Sequence, residues 1–156
     1  MSRSLDPLDI EIIFGLQQDG RRSNAELAHE LGVSEATIRR RIERLRQEQV
    51  IQITAVPDPY KTGYNTVAHV GLQVQMGKLY AVAEALAAKP CVHYVGLTTG
   101  RYDILFWVAL RSPVELAKFL TEDLPQIDGI VRTETMVNLK MFKRSFGWLC
   151  RPSESP

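Results

Sequence analysis

Residues 23–45 read S-N-A-E-L-A-H-E-L-G-V-S-E-A-T-I-R-R-R-I-E-R-L, and this stretch restricts the fold more than any other. Ser23 followed three residues later by Glu26 is a capping box, in which each side chain takes up a backbone N–H that the first turn of a helix leaves free. Ser34 holds the same place ahead of a second helix. Between them Leu31-Gly32-Val33-Ser34 makes a tight turn, and Gly32 can enter the left-handed region there without steric cost. In the second helix Ile38, Ile42 and Leu45 recur at i, i+4 and i+7 as one apolar stripe. Its other faces carry Thr37, Arg39, Arg40, Arg41, Arg44 and Arg46 against two acids, Glu35 and Glu43. A guanidinium fork suits both phosphate oxygens and the O6/N7 edge of guanine, so this helix reads as one that enters a DNA major groove. A solvated charge-rich face would account for the arginines alone. It would not account for two capped helices, glycine at the turn and cations gathered on the second helix.

The flanks extend this unit. Asp6-Pro7 opens an earlier helix, with Asp6 as N-cap and Pro7 at the first helical position. Leu8, Ile12, Ile13 and Leu16 form its buried stripe, and Gly20 is expected as its left-handed C-cap. Arg21 and Arg22 follow, either near a phosphate or in a solvated loop. After the arginine-rich helix, V-I-Q-I-T-A-V reads as a strand or wing. Three helices and a wing make a winged helix-turn-helix over residues 1–56. Residues 56–63, V-P-D-P-Y-K-T-G, break both periodicities, and a linker is expected over 57–65. Net charge does not carry the DNA reading: it is only +1 over 156 residues, so the signal is the local clustering of cations.

The second half alternates strand and helix patterns. Ala68, Val70, Leu72, Val74 and Met76 alternate with polar or small residues, as a half-buried strand does. Leu79, Val82, Ala83 and Leu86 mark a helix ending near Lys89-Pro90. Strands are expected over 92–99 and 103–111, joined by the turn at Gly100-Arg101. Ser112-Pro113-Val114-Glu115 opens a second helix with Leu116, Phe119, Leu120 and Leu124 inward, and a long strand is expected over 130–142. The order βαββαβ is a ferredoxin-like split βαβ, placed at 66–146, with a disordered tail over 147–156. The fold class is therefore α+β. The strand over 103–111 is apolar on both faces, whereas two helices in this fold cover one. Leu105 and Trp107 would lie in water unless a second copy of the chain covered them, so a homodimer packed through its sheets is expected.

Hydrophobic residues make up 45% of the chain and charged ones 24%, within the ordinary globular range. The two cysteines, Cys91 and Cys150, have no metal-ligand spacing, which suits a reducing cytoplasm. The first residues hold no apolar run, so no signal peptide is expected, and no stretch approaches the roughly 20 apolar residues of a membrane span. Neither metal nor cofactor is expected.

The segments L-D-P-L-D, N-A-E-L-A, L-G-V-S-E-A-T-I-R-R-R-I-E-R-L, V-I-Q-I-T-A-V-P-D-P, T-G-R-Y-D and G-I-V-R-T-E-T together resemble the Lrp/AsnC, or feast/famine, family of bacterial and archaeal regulators, from Leu5 to about Ser145. The resemblance implies a transcription factor whose DNA binding or assembly responds to a small effector, often an amino acid, and whose dimers can build larger rings such as octamers. Carried over residue by residue, it makes Ser34, Thr37, Arg39, Arg40, Arg41 and Arg44 DNA contacts, to which Ser23 at the capped helix start is added. The family's effector turn falls on Thr98, Thr99, Gly100, Arg101, Tyr102 and Asp103, with Met136 and Asn138 as further candidates. Backbone N–H groups there could hold a carboxylate and Asp103 an α-ammonium. Alternatively, Gly100 permits the turn and Asp103 satisfies backbone donors. One departure is Gln49, where the family usually has glycine; a glutamine in a left-handed cap costs on the order of 1 kcal/mol. Some relatives have lost DNA binding and decarboxylate haem precursors. His69 and His93 are the residues such an enzyme would enlist, but no paired acid or nucleophile accompanies them.

Overall fold

A computed structural model of the chain describes residues 4–144 and Leu149. They fall into two compact units: one of residues up to Val56 with Lys143, Arg144 and Leu149, the other of residues 57–142.

The first unit is three helices, α1 (Pro7–Gln18), α2 (Asn24–Leu31) and α3 (Glu35–Gln47). Their starts follow the capping chemistry of the sequence. Asp6 accepts from the Asp9 N–H and Asp9 accepts in return from the Asp6 N–H, a box built from two aspartates. Ser23 and Glu26 form the second box, and Ser34 accepts from the Thr37 N–H ahead of α3. Gly32 ends α2 at φ 66°, ψ 32° and lets the chain reverse into α3. Ile12, Ile13, Leu27, Ala28, Ile38 and Leu45 form the buried core, with Leu8, Leu16, Ile42 and Leu149 packed against it.

Two local expectations change. The first helix closes on Asp19 in an extended conformation, and Gly20 does not enter the left-handed region. The Val50–Val56 run forms no strand among the described residues; a β-rich run alone has no neighbour to complete its ladder. At the end of α3, Gln49 takes φ 56°. Its N–H donates to the Arg46 carbonyl and the Val50 N–H to the Leu45 carbonyl, the paired bonds of a Schellman cap. Glutamine thus occupies the position that favours glycine.

The second unit follows the expected order: β1 (Thr66–Val74), α4 (Leu79–Ala87), β2 (Val92–Leu97), β3 (Ile104–Leu110), α5 (Pro113–Lys118) and β4 (Ile130–Val137). The antiparallel sheet has the order β2-β3-β1-β4. After Lys118 the second helix widens into a π turn at Phe119–Asp123 and tightens into a 3-10 turn at Leu124–Gln126. The fourth strand ends at Val137, short of the expected 142. The C-terminal tail expected over 147–156 lies outside the described residues except for Leu149. Ala68, Val70 and Leu72 of β1 and Ile104, Phe106 and Val108 of β3 are fully buried with Val82 and Leu86 of α4 and with Leu116, Phe119 and Leu124. No helix among the described residues is long and apolar enough to cross a membrane.

Candidate nucleic-acid interface and effector turn

The arginines of α3 divide into two sets. Arg41 and Arg44 turn toward α1. Arg41 Nη1 donates to Asp9 Oδ1 at 3.0 Å and also to Asp6, and Arg44 Nη2 donates to Asp9 Oδ2 at 2.5 Å. Their side chains are only 22% and 25% exposed, and the Asp9 side chain is 0% exposed. Burial pushes the Asp9 carboxyl up, but the Asp6 N–H and the two guanidinium groups outweigh it and hold it below the usual carboxylate range. Arg41 holds Asp6 below that range too. Arg44 Nε is buried without a hydrogen-bond partner. The sequence reading placed Arg41 and Arg44 on DNA; the structure places them in the fold, because α1 brings two carboxylates to their flank of the helix.

The outward ridge of α3 is Ala36, Arg40, Glu43 and Gln47, spaced i, i+4, i+7 and i+11, all exposed. Arg40 makes no ion pair among the described residues. Arg39 is 66% exposed and pairs only with Glu35 one turn back, at 2.9 Å; Arg46 reaches Glu43 at 3.5 Å. Such exposed helical pairs hold their side chains weakly, so both guanidiniums can turn to another anion. Ser34 and Thr37 share a hydroxyl–hydroxyl bond of 2.9 Å at the start of α3. Ser23 differs: its hydroxyl donates to Glu26 Oε2 at 2.7 Å and accepts from the Glu26 N–H at 3.2 Å. It is a cap with a carboxylate beside it, and that carboxylate repels a phosphate. Arg22 is paired with Glu30, while Arg21 is exposed.

In the second unit the turn between β2 and β3 is closed by its own residues. The Thr98 N–H donates to the Asp103 carbonyl at 2.9 Å, and the Thr98 hydroxyl to the Tyr102 carbonyl at 2.7 Å. Asp103 Oδ2 accepts from the Val74 N–H at 2.8 Å. Of the two roles open to Asp103 in the sequence, the backbone-satisfying one is present. Gly100 takes φ 105°, and Thr99 is exposed beside it.

Strand register decides what surrounds the turn. Gly71 pairs with Leu105 on one side and Glu134 on the other. The Tyr102 ring lies on Gly71 so closely that a Cβ there would sit 2.6 Å from it. Tyr102 hydrogen-bonds Glu134, which raises the phenol pKa. Arg101 Nη2 meets Glu134 Oε2 at 2.7 Å, and the Gln73 amide donates to the Arg101 carbonyl at 3.1 Å. Glu134, Gly71 and Gln73 thus join the turn, though sequence reasoning did not select them. Met136 lies opposite His69, one residue pair or roughly 7 Å beyond Glu134 along the strand. Asn138 is further still, donating to the Val67 carbonyl. Within one chain neither borders the turn. Only strand pairing could have separated Glu134 from Met136, and the local sequence does not fix it.

Across the sheet face away from the helices, the register aligns Tyr94, Trp107, His69 and Met136 in one row. Trp107 is 44% exposed, and its ring lies 5.0 Å from both Tyr94 and His69. His69 is thereby a stacked surface ring on β1, while His93 lies at an irregularity of the edge strand β2, with β3 between the two strands. No group of three or more His, Cys, Asp or Glu able to hold a metal ion occurs among the described residues.

A capped helix-turn-helix with an arginine-bearing second helix, followed by a separate ferredoxin-like sheet, defines a two-domain DNA-binding protein. Residues 5–46 match the AsnC-type helix-turn-helix domain and residues 67–148 the Lrp/AsnC ligand binding domain. An uncharacterized HTH-type transcriptional regulator of Pyrococcus furiosus is 41% identical over 134 residues, covering 85% of this chain and 90% of the relative. The HTH-type transcriptional regulator FL11 of the same organism is 38% identical over 142 residues, covering 90% and 93%. The structure of E. coli AsnC superimposes with a TM-score of 0.81 at 29% identity, covering 91% of this chain and 97% of that one. A transcriptional regulator of Neisseria meningitidis, solved as an L-Met complex, shares the fold with a TM-score of 0.82 at 23% identity, covering 92% and 95%. The chain belongs to the Lrp/AsnC family and is a transcriptional regulator with a DNA-binding helix-turn-helix and a ligand-binding domain. Its relatives are named regulators, not enzymes, and the decarboxylase alternative is set aside.

Proposed function

We propose that the chain acts as a homodimer that reads a specific duplex sequence through the outward ridge of α3 and responds to a small amino acid or related zwitterion at the β2–β3 turn. The observation that carries the DNA half is the exposure of Arg40 and Arg39 on a capped helix whose opposite stripe is buried. A dimer presents two such helices, and paired half-sites multiply the contact. The flat row of Tyr94, Trp107, His69 and Met136 supports a second copy as its cover. The effector half is supported by Arg101 and Glu134, an exposed cation and a half-buried anion at the turn whose chemistry complements an α-carboxylate and an α-ammonium. A ligand held at a subunit boundary favours the arrangement that completes its pocket, and so biases the spacing of the two helices.

The test is a gel-shift on the DNA upstream of the chain's own gene, combined with calorimetry against the common amino acids, L-methionine included. Arg40→Ala should weaken specific binding by roughly 1–3 kcal/mol while leaving the circular dichroism spectrum unchanged. Arg101→Ala should lose the ligand response yet keep ligand-free DNA binding; Asp103 is the wrong residue to remove, since it holds the turn itself. Binding unaffected by Arg40→Ala, or an absence of heat with every amino acid, would refute the corresponding half.

A further inference from the structure

Arg41 and Arg44 carry positive charge on the helix assigned to DNA, yet both are bound to carboxylates of α1. Asp9 receives three donors: the Asp6 N–H that closes the capping box, Arg41 Nη1 and Arg44 Nη2. Asp6 caps the same helix with one oxygen and meets Arg41 with the other. Two carboxylates and two guanidiniums thus form a neutral cluster between the first turn of α1 and the middle of α3. The carboxylates also suit the positive end of the α1 dipole. The α3 helix has five arginines against Glu35 and Glu43, and the cluster neutralises two of the five.

We infer that Asp9, assisted by Asp6, is a positioning residue for DNA recognition: it keeps Arg41 and Arg44 off the phosphates and fixes the rotation of α3, so that the Ala36–Arg40–Glu43–Gln47 ridge faces the groove. Phosphate contacts supply affinity without sequence information. Each phosphate neutralised adds about 0.9 to the slope of log affinity against log salt. Two free arginines per helix would therefore raise binding to every duplex. Held to α1, they leave a larger share of the binding to the ridge. The same bonds oppose a roll of α3 about its axis, which the apolar stripe alone resists less well because Ile38, Ile42 and Leu45 make no directional contact. This rests on α3 being the reading helix.

The experiment is fluorescence anisotropy of the full chain over a salt series, on its own upstream DNA and on an unrelated duplex of equal length. Arg40→Gln should cost affinity for the upstream DNA and reduce the preference for it over the unrelated duplex. Arg41→Gln and Arg44→Gln should leave the slope of log affinity against log salt at the wild-type value. Asp9→Asn should steepen it and raise affinity for the unrelated duplex more than for the upstream DNA, and Asp9→Asn with Arg44→Gln should bring the slope back. An Arg44→Gln slope flatter than that of the wild type by about 1 per recognition helix overturns the inference, as does a folded Asp9→Asn protein with unchanged slope and discrimination. If Asp9→Asn does not fold, wild-type protein is labelled at arginine with a dicarbonyl reagent and mapped by mass spectrometry. Arg40 should be reactive when free and protected by DNA, and Arg41 and Arg44 unreactive in both states. Labelling of Arg41 or Arg44 that DNA then blocks overturns the inference. A preference for the upstream DNA that is indifferent to Arg40→Gln refutes α3 as the reader and takes this inference with it.

Discussion

The two halves of the chain treat their most conspicuous side chains in opposite ways. In the first, charged groups that look solvent-facing in the sequence are drawn inward: Asp9 is fully buried, with Arg41 and Arg44 closed over it. In the second, large apolar groups that look core-forming stay outside: Tyr94 and Trp107 stand on an open sheet face with His69 stacked beside them. Composition alone would sort both sets the other way. The first region teaches that a buried charge is tolerated where its counter-charges and hydrogen bonds are complete. The second teaches that a two-layer fold with both helices on one face leaves the other for a partner, whatever its polarity.

The sharpest test of that contrast is Trp107→Glu. If a second copy covers the row, the substitution buries a charge without a partner at the centre of the contact, at a cost of roughly 4 kcal/mol per subunit, which over two subunits loosens the dimer about a million-fold. Sedimentation at micromolar concentration should change from dimer to monomer. A wild type that is already monomeric removes the premise.

Next in size is Asp9→Ala, which strips two guanidiniums of their buried partner and should destabilise the N-terminal unit by on the order of 3 kcal/mol. The pH dependence follows from the direction of the Asp9 shift. Its carboxyl is held below the usual value, so its stabilisation is fully present above about pH 3.9 and is lost as pH falls through the lower folded value. Chemical denaturation between pH 3 and pH 7 should show the wild type losing stability at the acid end. The variant should lack that part of the slope.

Gly71→Ala probes the turn. Its new Cβ would meet the Tyr102 ring at 2.6 Å, so the ring must lift from β1 and release Glu134. Overpacking of this kind costs roughly 1–3 kcal/mol. Spectroscopic titration should find a tyrosine pKa returning downward from its raised position as the bond to Glu134 is lost. An unaltered titration curve would mean that the ring sits elsewhere.

The smallest effect is expected at Gln49. Its φ of 56° is a conformation that glycine adopts more easily. Gln49→Gly should raise stability by about 1 kcal/mol at most, read as an increase in melting temperature of a few degrees. A decrease would show that the glutamine side chain contributes more than its backbone conformation costs.

What the sequence determined by itself is the local grammar. Three helix starts follow from Asp6, Ser23 and Ser34, whereas the left-handed residue after α3 is marked only by the glycine that the family usually has at Gln49. The strand and helix order of the second half follows from periodicity. Each of these depends on residues within about four positions of one another, where hydrogen-bonding reach and side-chain direction are fixed by the backbone. The tertiary structure alone decided which arginines of α3 are free. Asp9 lies 32 residues from Arg41 and 35 from Arg44, and nothing in the run R-R-R-I-E-R says which of its guanidiniums a distant carboxylate will claim. It also decided that Glu134, and not Met136, borders the β2–β3 turn, because a shift of two residues in the pairing of β1 with β4 would exchange them on the same face. The Val50–Val56 run forms no strand among the described residues, since a ladder requires a neighbour that no single segment can supply.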